Sequence, residues 1–363
     1  MKTRLVKDGD IVVYANPQSY SHNAVVELLQ NGEVVVVVQE QKRRKRVTHH
    51  DPTSKAVLLR STDGGRTWNP RAKTTIAAGD REAINDPAIR QLRDGTLVLT
   101  YFKWRCGKER EAPLDSLSLS CLEGENCVWT TGTYTVRSAD GGRTWEGPVR
   151  VPAPTGDETA VSDPVIELPD GELLIPLYGW GAGEKYHSAI MRSSDGGRTW
   201  GGHTIVFKDS ANQTDFCEPS LLYLPSGKLI CMHRVHTQEP SRYYYLFQSD
   251  SHDLGRTWAP PRQTAMWGHP PYLLRLKSGT LFCIYGYRRE PYGIRACLSH
   301  DEGGTWDIAN ECVLRSDGIN ADVGYPYAVQ LPDGAVFAVW YMCQWDDRGP
   351  WSSIGGTFLH EEG

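Results

Sequence analysis

No run of about 18 apolar residues occurs in the 363-residue sequence, so no helix of membrane-spanning length is encoded. The opening stretch, Met1-Lys2-Thr3-Arg4-Leu5-Val6-Lys7-Asp8, has no apolar core of the kind that directs secretion. The expectation is a cytoplasmic protein, or a secreted or periplasmic one whose leader has been removed. Excess positive charge is also lacking: 39 Lys and Arg face 44 Asp and Glu, a net charge of −5. That balance argues against a nucleic-acid partner and against an anionic membrane surface. The one basic run, Lys42-Arg43-Arg44-Lys45-Arg46, reads as a solvated loop. The nine cysteines are not spaced like a zinc site, and no ligand cluster implies a metal or an organic cofactor. Cys121 and Cys127 are close enough in sequence to pair within a loop. Cys217, Cys231, Cys283 and Cys297 sit in strand-like runs and read as reduced, buried thiols.

What is abundant is punctuation. There are 36 Gly and 22 Pro, about 16% of the chain together, against roughly 12% on average. Twelve Trp accompany them. Long amphipathic helices and coiled coils do not fit such frequent breaks. Disorder does not fit either, because 39% hydrophobic content can bury a large core. Length alone suggests two domains, but an all-β unit of this size can be one.

The chain repeats itself. The pattern Ser-x-Asp-x-Gly-x-Thr-Trp begins at Ser61, Ser138, Ser193, Ser251 and Ser299, at intervals of 77, 55, 58 and 48 residues. Its chemistry is that of a folded turn: Ser and Asp bond to backbone groups, Gly permits positive φ, and Trp packs beneath. Each copy follows a strand-like run such as Ala56–Arg60 or Ser188–Arg192, so it is expected between the third and fourth strands of a unit. A second signature is independent of the first. Leu29–Gly32, Leu92–Gly95, Leu168–Gly171, Leu224–Gly227, Leu276–Gly279 and Leu331–Gly334 each place Asn, Asp or Ser before Gly, as hairpin turns do. Their spacings of 63, 76, 56, 52 and 55 match one blade plus its loops. Six hairpins and five boxes predict an all-β, six-bladed propeller of four-stranded antiparallel blades, a single domain over residues 1–363. The early strand Asp10–Tyr14 is expected to complete the last blade. The largest insertion, Arg105 to Trp129, falls in the second blade and reads as a lid or a surface loop.

In such a ring the first strands and inter-blade loops meet the central axis. Short polar phrases stand there: Asn85-Asp86-Pro87, Ser162-Asp163-Pro164, Cys217-Glu218-Pro219, Gly268-His269-Pro270 and Gly324-Tyr325-Pro326. Strand-entry turns alone would bring Pro to these places. Carboxylates recurring at one rim point instead to a ring of functional groups.

The five boxes are those of the sialidase (neuraminidase) superfamily, and the chain resembles that superfamily's catalytic propeller over nearly its whole length. The resemblance implies a glycoside hydrolase of the exo-sialidase kind, acting on a glycan or glycoconjugate and releasing a terminal acidic sugar. Its nucleophile is a Tyr, an exception to the usual pair of carboxylates. A neutral Tyr, deprotonated by a neighbouring Glu, avoids repulsion from a substrate carboxylate at the anomeric carbon. Tyr325 and Glu218 occupy the matching positions. The family's acid, an Asp shortly before the first box, maps to Asp51, with His50 as the alternative. Of the family's three carboxylate-binding arginines, Arg234 matches the second. Arg288 is the first choice for the third, with Arg289 and Arg295 as rivals. Asp86 matches the residue that contacts polar substituents of the sugar, and Tyr178 lines the pocket. Asp163 and His269 complete the polar ring.

One departure stands out. The first arginine belongs in an Arg-Ile-Pro phrase, but the corresponding stretch reads Tyr20-Ser21-His22-Asn23-Ala24-Val25. The glutamate that supports that arginine maps to Met342. The clamp is therefore expected to be altered as a unit, with His22 and Asn23, and Lys42 or Arg43 nearby, binding a different polar group. Sialic acid, a related keto-acid and a uronic acid remain the substrates to weigh. The alternatives are a non-catalytic carbohydrate-binding propeller and a hydrolase or lyase of other sugar specificity.

Overall fold

The computed structural model describes residues 3–113, 116–121, 126–154, 157–239 and 242–363. Six antiparallel sheets follow one another along the chain as blades. Blade 1 is Ser19–Leu28, Val34–Lys42, Lys55–Ser61 and Thr74–Ala78. Blade 2 is Glu82–Gln91, Leu97–Lys108, Asn126–Ser138 and Val149–Val151, with the short Ser120–Cys121 added beside its third strand. Blade 3 has a broken first strand, Glu158–Ala160 and Ile166–Glu167, then Leu173–Trp180, His187–Ser193 and Gly201–Phe207. Blade 4 is Asp215–Tyr223, Leu229–His236, Tyr245–Ser251 and Arg262–Trp267. Blade 5 is Pro271–Arg275, Leu281–Tyr287, Gly293–Ser299 and Cys312–Arg315. Blade 6 is Val323–Gln330, Val336–Asp346 and Gly349–Glu362, and its outermost strand is Arg4–Ala15 from the start of the chain. The first strands of blades 6 and 1 pack together and close the ring.

The six hairpins join first to second strands, and the five boxes join third to fourth, as the repeat pattern predicts. In the first box Asp63 accepts from the backbone N–H groups of Arg66 and Thr67, each at 3.0 Å, and from the Thr67 hydroxyl at 2.6 Å. Ser61 donates to Asp63 at 2.6 Å and accepts from the N–H of Gly65 at 3.0 Å. Gly65, at φ +83°, lies so close to blade 6 that a Cβ there would meet the Phe337 ring at 2.9 Å. Box 5 does the same against Ile230 of blade 4 through Gly303. The boxes thus dock each blade on its predecessor, which is why the pattern tolerates only glycine there.

Second strands such as Val34–Val38 are buried along every residue, so they read as unbroken apolar runs rather than alternations. Cys231 and Cys283 are free, buried thiols in second strands, and Cys217 and Cys297 are free, buried thiols in a first and a third strand. Cys127 is disulfide-bonded, and Cys121 stands opposite it in the strand register. Much of the insertion in blade 2 extends a hairpin, paired as far as Lys108 and Asn126; its residues 114–115 and 122–125 fall outside the described residues. Among the described residues no helix is long and apolar enough to cross a membrane.

Candidate active site

Four of the six first strands are broken in the same way. Pairing with the second strand slips between His22 and Val25, Asn85 and Ala88, Cys217 and Ser220, and Gly324 and Tyr327. Inside each slip one residue has left-handed φ: Asn23 (+47°), Asp86 (+48°), Glu218 (+41°) and Tyr325 (+43°). None is glycine, so each conformation costs about 1–3 kcal/mol. A bulge re-aims its side chain out of the strand alternation. Proline follows Asp86, Glu218 and Tyr325 because a bulge needs no ladder N–H at that point. Blade 3 reaches a similar result by interruption, with Asp163 in the gap of its first strand. In blade 5 His269 precedes the first strand.

The bulges bring Tyr325 and Glu218 together. The Tyr325 hydroxyl donates to Glu218 Oε1 at 2.5 Å, and Arg234 Nη1 donates to Glu218 Oε2 at 2.6 Å and to the Tyr325 oxygen at 3.3 Å. Burial acts to raise the Glu218 carboxyl, but Arg234, the Tyr325 hydrogen bond and Arg288 together hold it below the usual range. Burial, then the charges of Glu218 and Asp86, push the Tyr325 phenol well above its usual range, with Arg234 and Arg288 opposing. The result is a neutral phenol hydrogen-bonded to an ionised acceptor. Arg234 Nε is held by His236 Nε2 at 2.8 Å, and burial followed by Arg234 lowers the His236 imidazole to about 4, so that nitrogen is free to accept.

Arg288 stands over the Tyr325 ring, its guanidinium carbon 5.6 Å from the ring centroid. Its Nε donates to the Val323 carbonyl at 2.9 Å, and its Nη2 is buried without a partner. The other two arginines weighed in blade 5 lie elsewhere. Arg295 pairs with Glu311 at 2.6 Å and stacks on Tyr287, while Arg289 stacks on Trp267 and Tyr287. Asp86 accepts from the Asn23 side-chain amide, and its own N–H donates to Gln39 at 2.9 Å. Burial, then Glu218, raise its carboxyl well above the usual range, with Arg234 opposing. Tyr178 is raised well above its usual range by burial and then by the charges of Glu218, Asp86 and Tyr325, and its ring packs against Trp180 and Tyr186. Asp163 is buried near Arg90, Ser220 and Tyr327, with burial pushing its carboxyl up to about 7. His269 packs against Tyr244 and His236 at 4.4 and 5.5 Å.

Arg43, Asp51 and His50 each have partners of their own. Arg43 binds Asp346 and the Gly349 carbonyl, tying the basic loop to the outer hairpin of blade 6. Asp51 accepts from Arg44 Nε at 2.5 Å and Nη2 at 3.1 Å, and from the Thr53 N–H at 2.9 Å and hydroxyl at 2.5 Å. Burial acts to raise its carboxyl, and these bonds outweigh it and lower it. His50 packs on Trp104 at 4.4 Å, and burial lowers its imidazole to about 4.

Around His22, in the stretch that lacks the arginine, the structure assembles a group of side chains from blades 1 and 6. His22 is fully buried at 0% exposure, with Nε2 unpartnered, and burial lowers it to about 3. Its ring lies 4.6 Å from His49 and 5.9 Å from Tyr341. Tyr341, rather than Met342, is thus the residue of its strand that meets His22. Asp322 accepts from Tyr341 at 2.8 Å and from Tyr20, and lies 3.4 Å from His49 Nε2. No sequence signal marks Asp322, which sits in a loop three residues before Tyr325. Among the described residues no three His, Cys, Asp or Glu side chains are grouped to hold a metal ion.

A six-bladed propeller with a buried Tyr–Glu–Arg triad on its axis has clear relatives. The chain belongs to the BNR repeat-like domain family, whose model matches residues 72–338. A Bacteroides fragilis sialidase is 25% identical over 213 residues, 55% of this chain and 36% of that protein, so the chain spans well under half of this relative. A Dyadobacter fermentans protein of unknown function is 27% identical, with a TM-score of 0.86 over 99% of both chains. The intramolecular trans-sialidase of Ruminococcus gnavus has a TM-score of 0.68 over 98% of both chains at 13% identity, a likeness of fold.

Proposed function

We propose that the protein is a sialidase-like glycoside hydrolase that releases a terminal acidic sugar from a glycan by a retaining mechanism through a tyrosyl intermediate. The observation that carries this reading is the 2.5 Å hydrogen bond from Tyr325 to Glu218 under the guanidinium of Arg234. Glu218 takes the phenolic proton as Tyr325 attacks the anomeric carbon, and Arg234 stabilises the developing phenolate. Arg288, with its unpartnered Nη2 beside the Tyr325 ring, is the group that takes the sugar's acidic substituent. Asp86 and Tyr178 face the other ring substituents. The proton for the leaving group comes from the loop His49–Asp51.

The test is a panel of aryl glycosides of sialic acid, related keto-acids and uronic acids, scored for release and anomeric configuration. Tyr325→Phe is expected to abolish turnover, and unchanged turnover overturns the reading. A binding propeller without catalysis is the second reading, favoured by the absent first arginine; it predicts sugar binding with no release.

A further inference from the structure

We propose that His49, oriented by Asp322, is the residue that protonates the leaving group and then activates water; this rests on the reading of Tyr325 as nucleophile. Three side chains of one loop compete for that task, and the structure separates them. Asp51 has four donors on its carboxylate, from Arg44 and Thr53. Protonating it breaks the contacts that hold the loop. His50 is packed against Trp104. His49 alone is both partly open, with 35% side-chain exposure, and directed by a carboxylate.

The setting of His49 is built. Its carbonyl accepts from Asn85 at 2.8 Å and from Gln39 at 3.4 Å, the same Gln39 that binds the Asp86 N–H. Asp322 at Nε2 is itself fixed by the phenols of Tyr20 and Tyr341. A carboxylate on one ring nitrogen sets the tautomer and supports the imidazolium, leaving Nδ1 for the leaving-group oxygen. One short route links His49 to the nucleophile, through Asp322 and Tyr341, whose ring lies 6.2 Å from that of Tyr325. A second runs from His49 through His22 and Asn23 to Asp86. The arrangement occupies the place where the first arginine is absent, so the altered clamp and the proton donor are one substitution of machinery.

The steps balance. Imidazolium His49 gives its proton to the glycosidic oxygen as that C–O bond breaks, while Tyr325 bonds to the anomeric carbon and its proton passes to Glu218. Neutral His49 then takes a proton from water as the hydroxide bonds to the anomeric carbon. The Tyr325–carbon bond breaks, and Glu218 returns the proton to the phenolate.

The experiment compares 4-methylumbelliferyl and methyl glycosides of whichever panel sugar the wild type cleaves. For His49→Gln, kcat/KM is expected to fall about 10²–10⁴-fold on the methyl glycoside and to stay near wild type on the aryl one, whose leaving group needs no proton. Azide is expected to accelerate the variant on the aryl glycoside and yield a glycosyl azide of retained configuration. Asp51→Asn is expected to affect both substrates alike, with thermal melts reporting whether either variant is folded. Equal losses on the two substrates for His49→Gln, or a leaving-group-dependent loss for Asp51→Asn, overturn the proposal while leaving Tyr325 in place. Full activity of Tyr325→Phe, or no cleavage of any panel member, overturns the underlying reading and this inference with it.

Discussion

The hydroxyl of Tyr325 and the carboxylate of Glu218 are 107 residues apart in sequence and 2.5 Å apart in space. Each stands on a first-strand bulge with left-handed φ, one in blade 6 and one in blade 4. Removing the carboxylate while keeping the shape separates its two roles. Glu218→Gln is expected to lower kcat on the aryl glycosides by 10²-fold or more. It also leaves Arg234 buried without a counter-charge, which costs about 3–5 kcal/mol. Kinetics and thermal melts should therefore both move. A fall in melting temperature with unchanged kcat removes Glu218 from the chemistry.

Arg288 offers a cleaner separation of binding from catalysis. Losing a charge-assisted contact to an acidic substituent costs about 1.5–3 kcal/mol. Arg288→Ala should raise KM for an acidic sugar about 10–100-fold and change a neutral sugar's glycoside little. Equal losses on the two sugars would show that Arg288 shapes the pocket through Tyr325 instead.

Asp163 gives a pH signature in stability. Burial raises its carboxyl from 3.8 to about 7. Below pH 3.8 both folded and unfolded chains carry the proton. Between these values the unfolded chain releases it and the folded chain keeps it. Stability falls as pH rises through that window, by at most about 4 kcal/mol. Asp163→Asn lacks this dependence, so the melting temperature of the variant should gain on the wild type between pH 4 and 8. A constant difference across that range refutes the assignment.

The boxes make a prediction about the frame. Asp63→Ala removes an acceptor from two backbone N–H groups and two hydroxyls. The turn is open to water, so the cost should be about 1 kcal/mol. Chemical denaturation measures it, and kcat on any substrate should not change. A loss of several kcal/mol would mean that the box also sets how blade 1 seats on Phe337.

The frame was legible because its determinants are local. A box is eight residues whose Ser and Asp close the turn by bonding within it, so five copies reveal five blade edges. Half of the site was legible for a similar reason: Asp86, Glu218 and Tyr325 each precede Pro at a bulge, and that pairing is visible in the chain. His22 and Asn23 were visible only as a departure from a family pattern, and their bulge carries no Pro. Arg288, Arg289 and Arg295 could not be ranked by spacing, since what separates them is which ring each guanidinium stacks on. Asp51 was the natural acid by motif, yet what engages its carboxylate is Arg44, a member of a run that reads as solvent-facing.

The sequence by itself determined the ring: how many blades, where each turns, and which residues face the axis. Those features follow from backbone conformations that neighbouring residues impose. Only the tertiary structure decided which axial groups form one site. Tyr325 and Glu218 meet from blades 6 and 4, while the contacts of His49 with Asp322 and of His22 with Tyr341 exist because ring closure brings the last blade against the first.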